Sequence, residues 1–373
     1  MPTLSRADNS MLGRWWWTVD RWTLGAIGVL IGFGYIMMLA ASPAVAERIG
    51  QSRDLFIFKQ VFFLALASAI VIGVSLLSPR DVRRLAILGC VIALLLTAAT
   101  MVIGVEIKGA RRWIALPGMS IQPSEFLKPC FAVTAAWLIA EGKRTRGFPG
   151  TLIACGVFGL ILILLKSQPD IGMLAVITAV FLAQLYIAGM NLFLVFAALG
   201  VVAGGSVMAY VIFPHVQSRV ERFLHPESGD TYQITTALEA FGNGGLLGRG
   251  PGEGRVKDVL PDAHADFVFA VAGEEFGMLI CLVILAVLAF IVLRGLLRLL
   301  KEQDLLIVLS CTGLITGFGL QAFINMASTL KLIPTKGMTL PFISYGGSSA
   351  MAVALGMGML LALTRRRHRG DEL

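Results

Sequence analysis

Ten long runs of apolar residues follow one another along the chain, and they constrain its fold more than any other feature. The runs lie near 23–41, 56–77, 85–105, 125–140, 151–165, 171–188, 191–213, 267–293, 304–328 and 342–363. An α-helix needs about 20 predominantly apolar residues to cross the hydrocarbon core of a bilayer. The pattern therefore predicts an all-α integral membrane protein with about ten transmembrane helices.

The composition excludes a soluble protein, because 57% of the 373 residues are hydrophobic and only 14% are charged. The five cysteines lie one per segment without a CxxC pair, and the four histidines are scattered. The sequence therefore predicts neither a disulfide framework nor a metal cluster. The formal net charge of +8 suits anionic headgroups or an anionic substrate, although arginines placed by membrane topology also account for it.

Lysines and arginines concentrate on one side of the predicted bundle. Sixteen of the 31 lie in the two tails and in the short loops that an even number of helices places together. Since cytoplasmic loops are enriched in these residues, we expect both termini in the cytoplasm. The predicted organisation is a cytoplasmic tail at 1–22, one membrane domain at 23–364 and a basic cytoplasmic tail at 365–373. The membrane domain carries one large extracytoplasmic (periplasmic) loop at 214–265.

The stretch Lys257–Glu275 leads from the large loop into the eighth apolar run, with Asp266 at the boundary. Holding a carboxylate where water meets lipid costs free energy, and such residues typically have a function, so Asp266 is a candidate site residue. Capping of the following helix is an equally good interpretation, because an aspartate there accepts hydrogen bonds from first-turn amides. On a helical wheel Gly273 and Gly277 share the face of Asp266, which permits close approach of another helix or of a ligand.

Other charged residues near the predicted membrane boundary also need an explanation. Glu125 and Lys128 are spaced i, i+3 and predict an ion pair, which is either structural or part of a site. Lys336 lies between two prolines in a constrained loop, where a fixed cation suits a phosphate or carboxylate partner. Glu274 and Glu275 lie deeper, so we expect them to be protonated, paired or hydrogen-bonded, with structural roles.

Seven glycines lie between Gly242 and Gly254, but no GK[ST] and no βα unit accompany them. This excludes a nucleotide-binding loop. The preceding segment, 234–241, predicts a short amphipathic helix resting on the membrane. The small residues at 344–349 predict close helix packing at the start of the last helix.

Five motifs occur in order along the chain: GARRWI at 109–114, QPSEFLK at 122–128, QPDIG at 168–172, LPDAHADF at 260–267 and PFISYGGSS at 341–349. Together they resemble the SEDS family of bacterial peptidoglycan polymerases, over about residues 20 to 364. The chain departs from the family pattern at three positions. Asp262 stands where glutamate is common, Ala265 where threonine is common, and Ser120 where many members carry arginine.

The resemblance implies a ten-helix SEDS fold and a glycosyltransferase that polymerises lipid II during septal cell division. The reaction would occur at the outer face of the bacterial inner membrane. Asp266 would deprotonate the acceptor sugar's 4-hydroxyl, and undecaprenyl diphosphate would leave. We expect substrate contacts from Lys336, Glu125, Lys128, Arg112, Trp113, Gln122, His264 and Ser344. Of these, Arg112, Lys128 and Lys336 would meet the charge of the diphosphate.

The resemblance also implies partners, namely a class B penicillin-binding protein transpeptidase and other division proteins. We expect no nucleic-acid partner, and the residues leave open whether a divalent cation, Mg²⁺ or Mn²⁺, assists the diphosphate. An elongation-type polymerase is the alternative within the family. A lipid II transporter and a scaffold that only recruits the transpeptidase are alternatives of other classes. Transporters tend to place charges near the bilayer midplane in repeated, broken helices, whereas these charges crowd the outer edge.

Overall fold

The computed structural model of the chain describes residues 10–48, 53–107, 110–116, 119–191, 232–260, 262–334 and 337–366, with isolated positions between 193 and 221. The seventh predicted run, 191–213, and the first part of the 214–265 loop lie largely outside these ranges. Lys336 also lies outside them, so its site role stays a prediction.

Helices occupy nine of the ten predicted apolar runs, and the seventh run lies largely outside the described residues. The elements are α1 (Met11–Thr18), α2 (Arg21–Arg48), α3 (Arg53–Ser75), α4 (Pro79–Ile103), β1 (Val105–Ile107), β2 (Ala110–Leu116), β3 (Met119–Ile121), α5 (Pro123–Arg144), α6 (Gly150–Ser167), α7 (Ile171–Ile187), α8 (Tyr232–Gly244), α9 (Val256–Val259), α10 (Val268–Leu299), α11 (Leu305–Thr329) and α12 (Gly347–Leu363). Among the described residues, six helices are long and apolar enough to cross a membrane, and α7 and α12 are shorter apolar helices. The predicted class, a helical integral membrane protein, is confirmed.

The last helix begins at Gly347, five residues after the predicted start of its apolar run. Residues 342–346 instead form a turn, in which Phe342 has a φ of +63°. Phe342 and Ile343 are almost fully buried in this turn. Hydropathy cannot distinguish a buried turn from a buried helix, because both remove apolar side chains from water.

A small antiparallel sheet fills the connection between α4 and α5, which the sequence reasoning did not predict. The central strand β2 pairs with β1, where Trp113 lies opposite Val105, and with β3, where Ile114 lies opposite Ile121. The strands are too short to show a strong alternating pattern. The sheet fixes Arg112 and Trp113 at one end of the bundle.

Helix α10 is interrupted at Gly277, whose φ of +78° is left-handed. The glycine-rich loop after α8 enters this break, and the amide of Met278 donates to the carbonyl of Gly245 at 3.0 Å. A Cβ on Gly277 would collide with the backbone of the 246–248 turn. The close approach at Gly277 is present, but the partner is the glycine-rich loop and not the helix or ligand that the sequence predicted.

The predicted amphipathic segment 234–241 is helical and lies within α8. Its small residues Ala237 and Ala240 are fully buried, and the ring of Phe241 lies 5.7 Å from the ring of Phe269 on α10. The buried face of α8 therefore packs on α10, a contact that the sequence reasoning did not predict.

Candidate active site

A polar cavity of about 600 Å³ opens at the end of the bundle where α10 begins. Strands β2 and β3, the start of α5, and the turns before α10 and α12 contribute to its walls. The predicted site residues that line it are Arg112, Trp113, Gln122, Glu125 and Asp266. The fold thus brings residues from three separate motifs into one cavity.

Asp266 lies in the turn that leads into α10. The helix begins at Val268 with Phe267 as its N-cap residue, and the Phe267 side chain makes no capping hydrogen bond. Asp266 is therefore not the N-cap residue that the capping interpretation requires, and it lines the cavity. The backbone of Gly337 lies against the carboxylate, because a Cβ built on Gly337 would come within 2.9 Å of Asp266 Oδ2. A glycine at 337 thus leaves room for the carboxylate.

Asn325 on α11 holds the backbone on both sides of this carboxylate. Its Nδ2 donates to the carbonyl of Asp266 at 3.0 Å and to the carbonyl of Met338 at 2.6 Å. The side chain is fully buried. The sequence reasoning missed Asn325, although an amide inside the apolar run 304–328 was a usable signal, because a buried polar group needs partners.

Ser344 and His264, two predicted site residues, connect the turns before α10 and α12. The Ser344 hydroxyl donates to the carbonyl of Ala265 at 2.6 Å, and the amide of Tyr345 donates to the carbonyl of His264 at 2.8 Å. The His264 ring packs 5.0 Å from the Tyr345 ring. These contacts hold the backbone next to Asp266 in a fixed position, so Ser344 and His264 have geometries that suit positioning.

Burial shifts the ionisation of both ring residues. It lowers the pKa of His264 below its usual 6.5. The nearby charge of Asp262 raises this pKa, but by less than burial lowers it. Burial raises the pKa of Tyr345 above its usual 10.0. At neutral pH both side chains are therefore uncharged.

Arg112 joins the sheet to the short connection between α6 and α7. Its Nε donates to the carbonyl of Gln168 and its Nη2 to the carbonyl of Pro169, both at 2.7 Å. Nη1 lies 3.4 Å from a carboxylate oxygen of Asp170. The guanidinium lines the cavity, but much of its hydrogen-bonding capacity is already used within the protein.

Gln122 connects the start of α5 to two neighbouring segments. Its backbone amide donates to the Ser348 hydroxyl at 3.0 Å, and its Nε2 lies 3.1 Å from the Ser124 hydroxyl and 3.4 Å from Asp170 Oδ2. The residue therefore ties β3 to α12 at the cavity wall.

The predicted ion pair between Glu125 and Lys128 is present, with Lys128 Nζ 2.8 Å from Glu125 Oε2. The ammonium also donates to Gln321 Oε1 on α11 at 2.6 Å. Glu125 lines the cavity, whereas Lys128 is buried and lines a small void between α5, α11 and α12. This arrangement supports the structural interpretation for Lys128, away from the expected diphosphate.

Glu274 and Glu275 are paired with the glycine-rich loop and the residues that follow it. Lys257 Nζ lies 2.7 Å from Glu275 Oε1, and Arg249 Nη1 lies 3.7 Å from Glu274 Oε1. The amide of Val256 donates to Glu274 Oε2 at 2.9 Å. The pairing and hydrogen bonding expected of these glutamates are confirmed.

Several lining residues were not found from the sequence, namely Lys59, Gln233, Thr339 and Ser349. Lys59 is the most informative, because a lysine near the start of the second apolar run could have been noticed. Among the residues that the structure describes, no three or more His, Cys, Asp or Glu side chains form a group that could hold a metal ion.

An apolar helical bundle with a carboxylate-bearing polar cavity at one end defines a polytopic membrane protein with a candidate active site near the membrane surface. The family model described as "Cell cycle protein", which covers FtsW, RodA and SpoVE, matches residues 21–369. The chain belongs to this family, and the resemblance inferred from the five motifs is confirmed.

A relative from Caulobacter vibrioides (strain NA1000 / CB15N), named "Probable peptidoglycan glycosyltransferase FtsW", is 44% identical over 364 residues. The alignment covers 97% of this chain and 93% of the relative. Two solved structures share the fold. A chain of the structure described as "Structural coordination of polymerization and crosslinking by a peptidoglycan synthase complex" has a TM-score of 0.76 at 24% identity, covering 93% of this chain and 97% of that chain. The rod shape determining protein RodA of Thermus thermophilus has a TM-score of 0.68 at 23% identity, covering 94% and 97%.

Proposed function

We propose that this protein is a peptidoglycan glycosyltransferase that polymerises lipid II, with Asp266 as its general base. The observation that carries the proposal is the placement of Asp266. Its carboxylate lines a polar cavity at the end of the bundle. Asn325 donates a hydrogen bond to the backbone carbonyl of Asp266, and Ser344 donates one to the backbone carbonyl of Ala265. Family membership and the name of the 44% identical relative support the same activity.

In the proposed reaction, Asp266 accepts the proton of the 4-hydroxyl of the acceptor sugar. The oxygen attacks the anomeric carbon of the donor, and the bond from that carbon to the diphosphate oxygen breaks. The diphosphate leaves with the bonding electron pair. A positioned general base typically contributes about 10²–10⁴-fold to such a step. The carboxylate suits this role because the backbone on both sides of it is held by buried hydrogen bonds.

The leaving diphosphate needs cations, and the cavity provides two within the described residues, Lys59 and Arg112. Lys59 is partly exposed, while Arg112 has part of its hydrogen-bonding capacity engaged. We propose that Lys59 and Lys336 take the larger share of the diphosphate charge. The buried pair of Lys128 with Glu125 then fixes the start of α5.

We further propose that the cavity faces the outer leaflet of the bacterial inner membrane, with both termini in the cytoplasm, and that the protein acts at the division septum. A class B penicillin-binding protein transpeptidase is the proposed partner, together with other division proteins. The similar chain in a peptidoglycan synthase complex that couples polymerization to crosslinking supports the transpeptidase. The positive-inside bias of the loops supports the orientation.

The test is polymerisation of labelled lipid II by the purified chain in proteoliposomes, read as glycan strands on a gel. Asp266→Asn should abolish strand formation while the unfolding temperature stays that of the wild type. Glu253→Gln is the matched control, because it removes an exposed carboxylate outside the cavity. Arms with Mg²⁺, with EDTA and with the transpeptidase distinguish the roles of a cation and of the partner. Wild-type strand yield from Asp266→Asn would overturn the assignment.

A lipid II transporter is the second candidate, and one observation favours it. Helix α10 is broken at Gly277, and broken helices are typical of transporter sites. Here, however, the backbone of the glycine-rich loop fills the break, and Arg249 and Lys257 pair with the adjacent Glu274 and Glu275. Translocation of fluorescent lipid II across proteoliposomes, measured by dithionite quenching, distinguishes the two functions. We expect no translocation above that of empty liposomes.

A further inference from the structure

The end of the bundle opposite the candidate site carries a second cavity. Helix α10 runs from Val268 to Leu299, and at about 1.5 Å per residue its 32 residues span at most roughly 48 Å. At its far end an open groove of about 1050 Å³ lies between the last turns of α10, the start of α11 and the end of α12. A smaller hollow of about 240 Å³ beside α1 and α2 shares several of its residues.

The groove contains more cationic side chains than carboxylates that pair with them. Asp20, whose side chain is 2% exposed, lies 2.7 Å from Arg294 and 3.1 Å from Arg298, so one carboxylate faces two guanidiniums. Lys301 and Arg366 add two further cations, and both are exposed. The groove's own carboxylates, of Glu302 and Asp304, accept backbone amides at the start of α11 instead.

An apolar stripe borders these cations. Leu293 and Leu297 are 59% and 64% exposed, and each directly precedes an arginine of the pair Arg294 and Arg298. Residues four apart lie on the same helix face, so the last turns of α10 present a cationic stripe beside an apolar one. A free inorganic anion has no use for the apolar stripe, whereas a lipid has both a headgroup and acyl chains to place.

We propose that this groove binds an anionic phospholipid, with its phosphate on the exposed Lys301 and Arg366 beside the arginine pair and its acyl chains along the exposed leucines of α10. Guanidinium groups recognise phosphate through paired N–H donors. Basic pockets between helices at the cytoplasmic surface are suited to phospholipid headgroups. The site is separate from the Asp266 cavity, so the proposal stands or fails independently of the glycosyltransferase activity.

The probes are phosphatidylglycerol, phosphatidylcholine and inorganic phosphate, added to the full chain in detergent and followed by native mass spectrometry. The test variant is Lys301→Gln with Arg366→Gln, because these side chains make no ion pair with the described residues. The control variant is Arg144→Gln with Arg146→Gln, which removes two exposed cations at the same end of the bundle, outside the groove. Thermal unfolding without added lipid checks that both variants are folded.

We expect phosphatidylglycerol to bind at least about fivefold more tightly than phosphatidylcholine, and the test variant to weaken it about tenfold. The control variant should change the affinity less than about twofold. Equal binding of the two lipids, or an equal loss in the control variant, would overturn the proposal. Displacement of phosphatidylglycerol by millimolar inorganic phosphate would also overturn it, because the groove would then take free anions.

Discussion

Two acidic regions lie within ten residues of each other, and their environments differ completely. Asp266 lines a polar cavity, in a turn whose backbone is held from α11 and from the turn before α12. Glu274 and Glu275 lie inside α10, where the loop that fills the helix break supplies their cations and amides. The role of a carboxylate at a membrane boundary can therefore be inferred only when the residues that contact it are known. The partners of the glutamates are structural, whereas Asp266 lines an open cavity, and its proposed role as a base rests on this placement.

The largest effect on stability is expected from the buried pair of Glu275 and Lys257. Glu275→Gln leaves the Lys257 ammonium, which is 9% exposed, without its carboxylate. Breaking a buried ion pair by removing one partner typically costs about 3–5 kcal/mol. The unfolding free energy in mixed micelles measures this loss, with Glu253→Gln as the exposed control. An unchanged unfolding free energy would show that the pair does not hold the break together.

Asn325→Ala should separate positioning from folding. It removes one buried and one partly buried hydrogen bond and leaves the carbonyls of Met338 and Asp266 without this donor. We expect stability to fall by about 1–3 kcal/mol. Because the base is displaced, kcat should fall by about tenfold or more while KM for lipid II changes little. Equal changes in kcat and KM, or a stability loss with wild-type kcat, would leave Asn325 a purely structural residue.

Gly337→Ala tests the space beside the Asp266 carboxylate. The added Cβ would come within 2.9 Å of Oδ2, so the side chain or the loop must shift by a few tenths of an ångström. We expect a several-fold loss of kcat with little change in unfolding temperature, as small misplacements of a catalytic group lower the rate. Gly242→Ala is the control, because an added Cβ there meets no atom within 4 Å and the exposed residue lies outside the cavity. Wild-type kcat in Gly337→Ala would show that the carboxylate is not confined there.

The smallest effect should come from His264. Because burial lowers its pKa in the folded state, the unfolded chain binds the extra proton more readily. The stability associated with neutral His264 is therefore fully present above pH 6.5 and is lost as the pH falls below 6.5 towards the folded-state pKa. Unfolding temperatures of wild type and His264→Gln at pH 7.5 and 5.5 measure this. The wild type should lose more stability on acidification, and equal losses would contradict the shift.

The same contrast shows what the sequence could and could not predict. The apolar runs predicted the long apolar helices among the described residues, and the i, i+3 spacing predicted the pair of Glu125 with Lys128, because these signals are local. The N-cap role of Asp266 was wrong because the helix begins at Val268, one residue after the start of the apolar run, so that Phe267 is its N-cap residue. Lys59 was missed because it reaches the cavity from a distant segment, and Asn325 because the carbonyls that it bonds belong to other segments of the chain. The break at Gly277 depends on contacts between its backbone and that of the glycine-rich loop. The glycine content of the loop does not indicate which of its residues make these contacts.

The most direct test measures glycan formation per folded molecule for Asp266→Asn and Glu275→Gln in one series. We predict that Asp266→Asn keeps the wild-type unfolding temperature and loses at least about 100-fold in rate. Glu275→Gln should instead unfold at a lower temperature and keep nearly the wild-type rate per folded molecule. Wild-type polymerisation by folded Asp266→Asn would contradict the account.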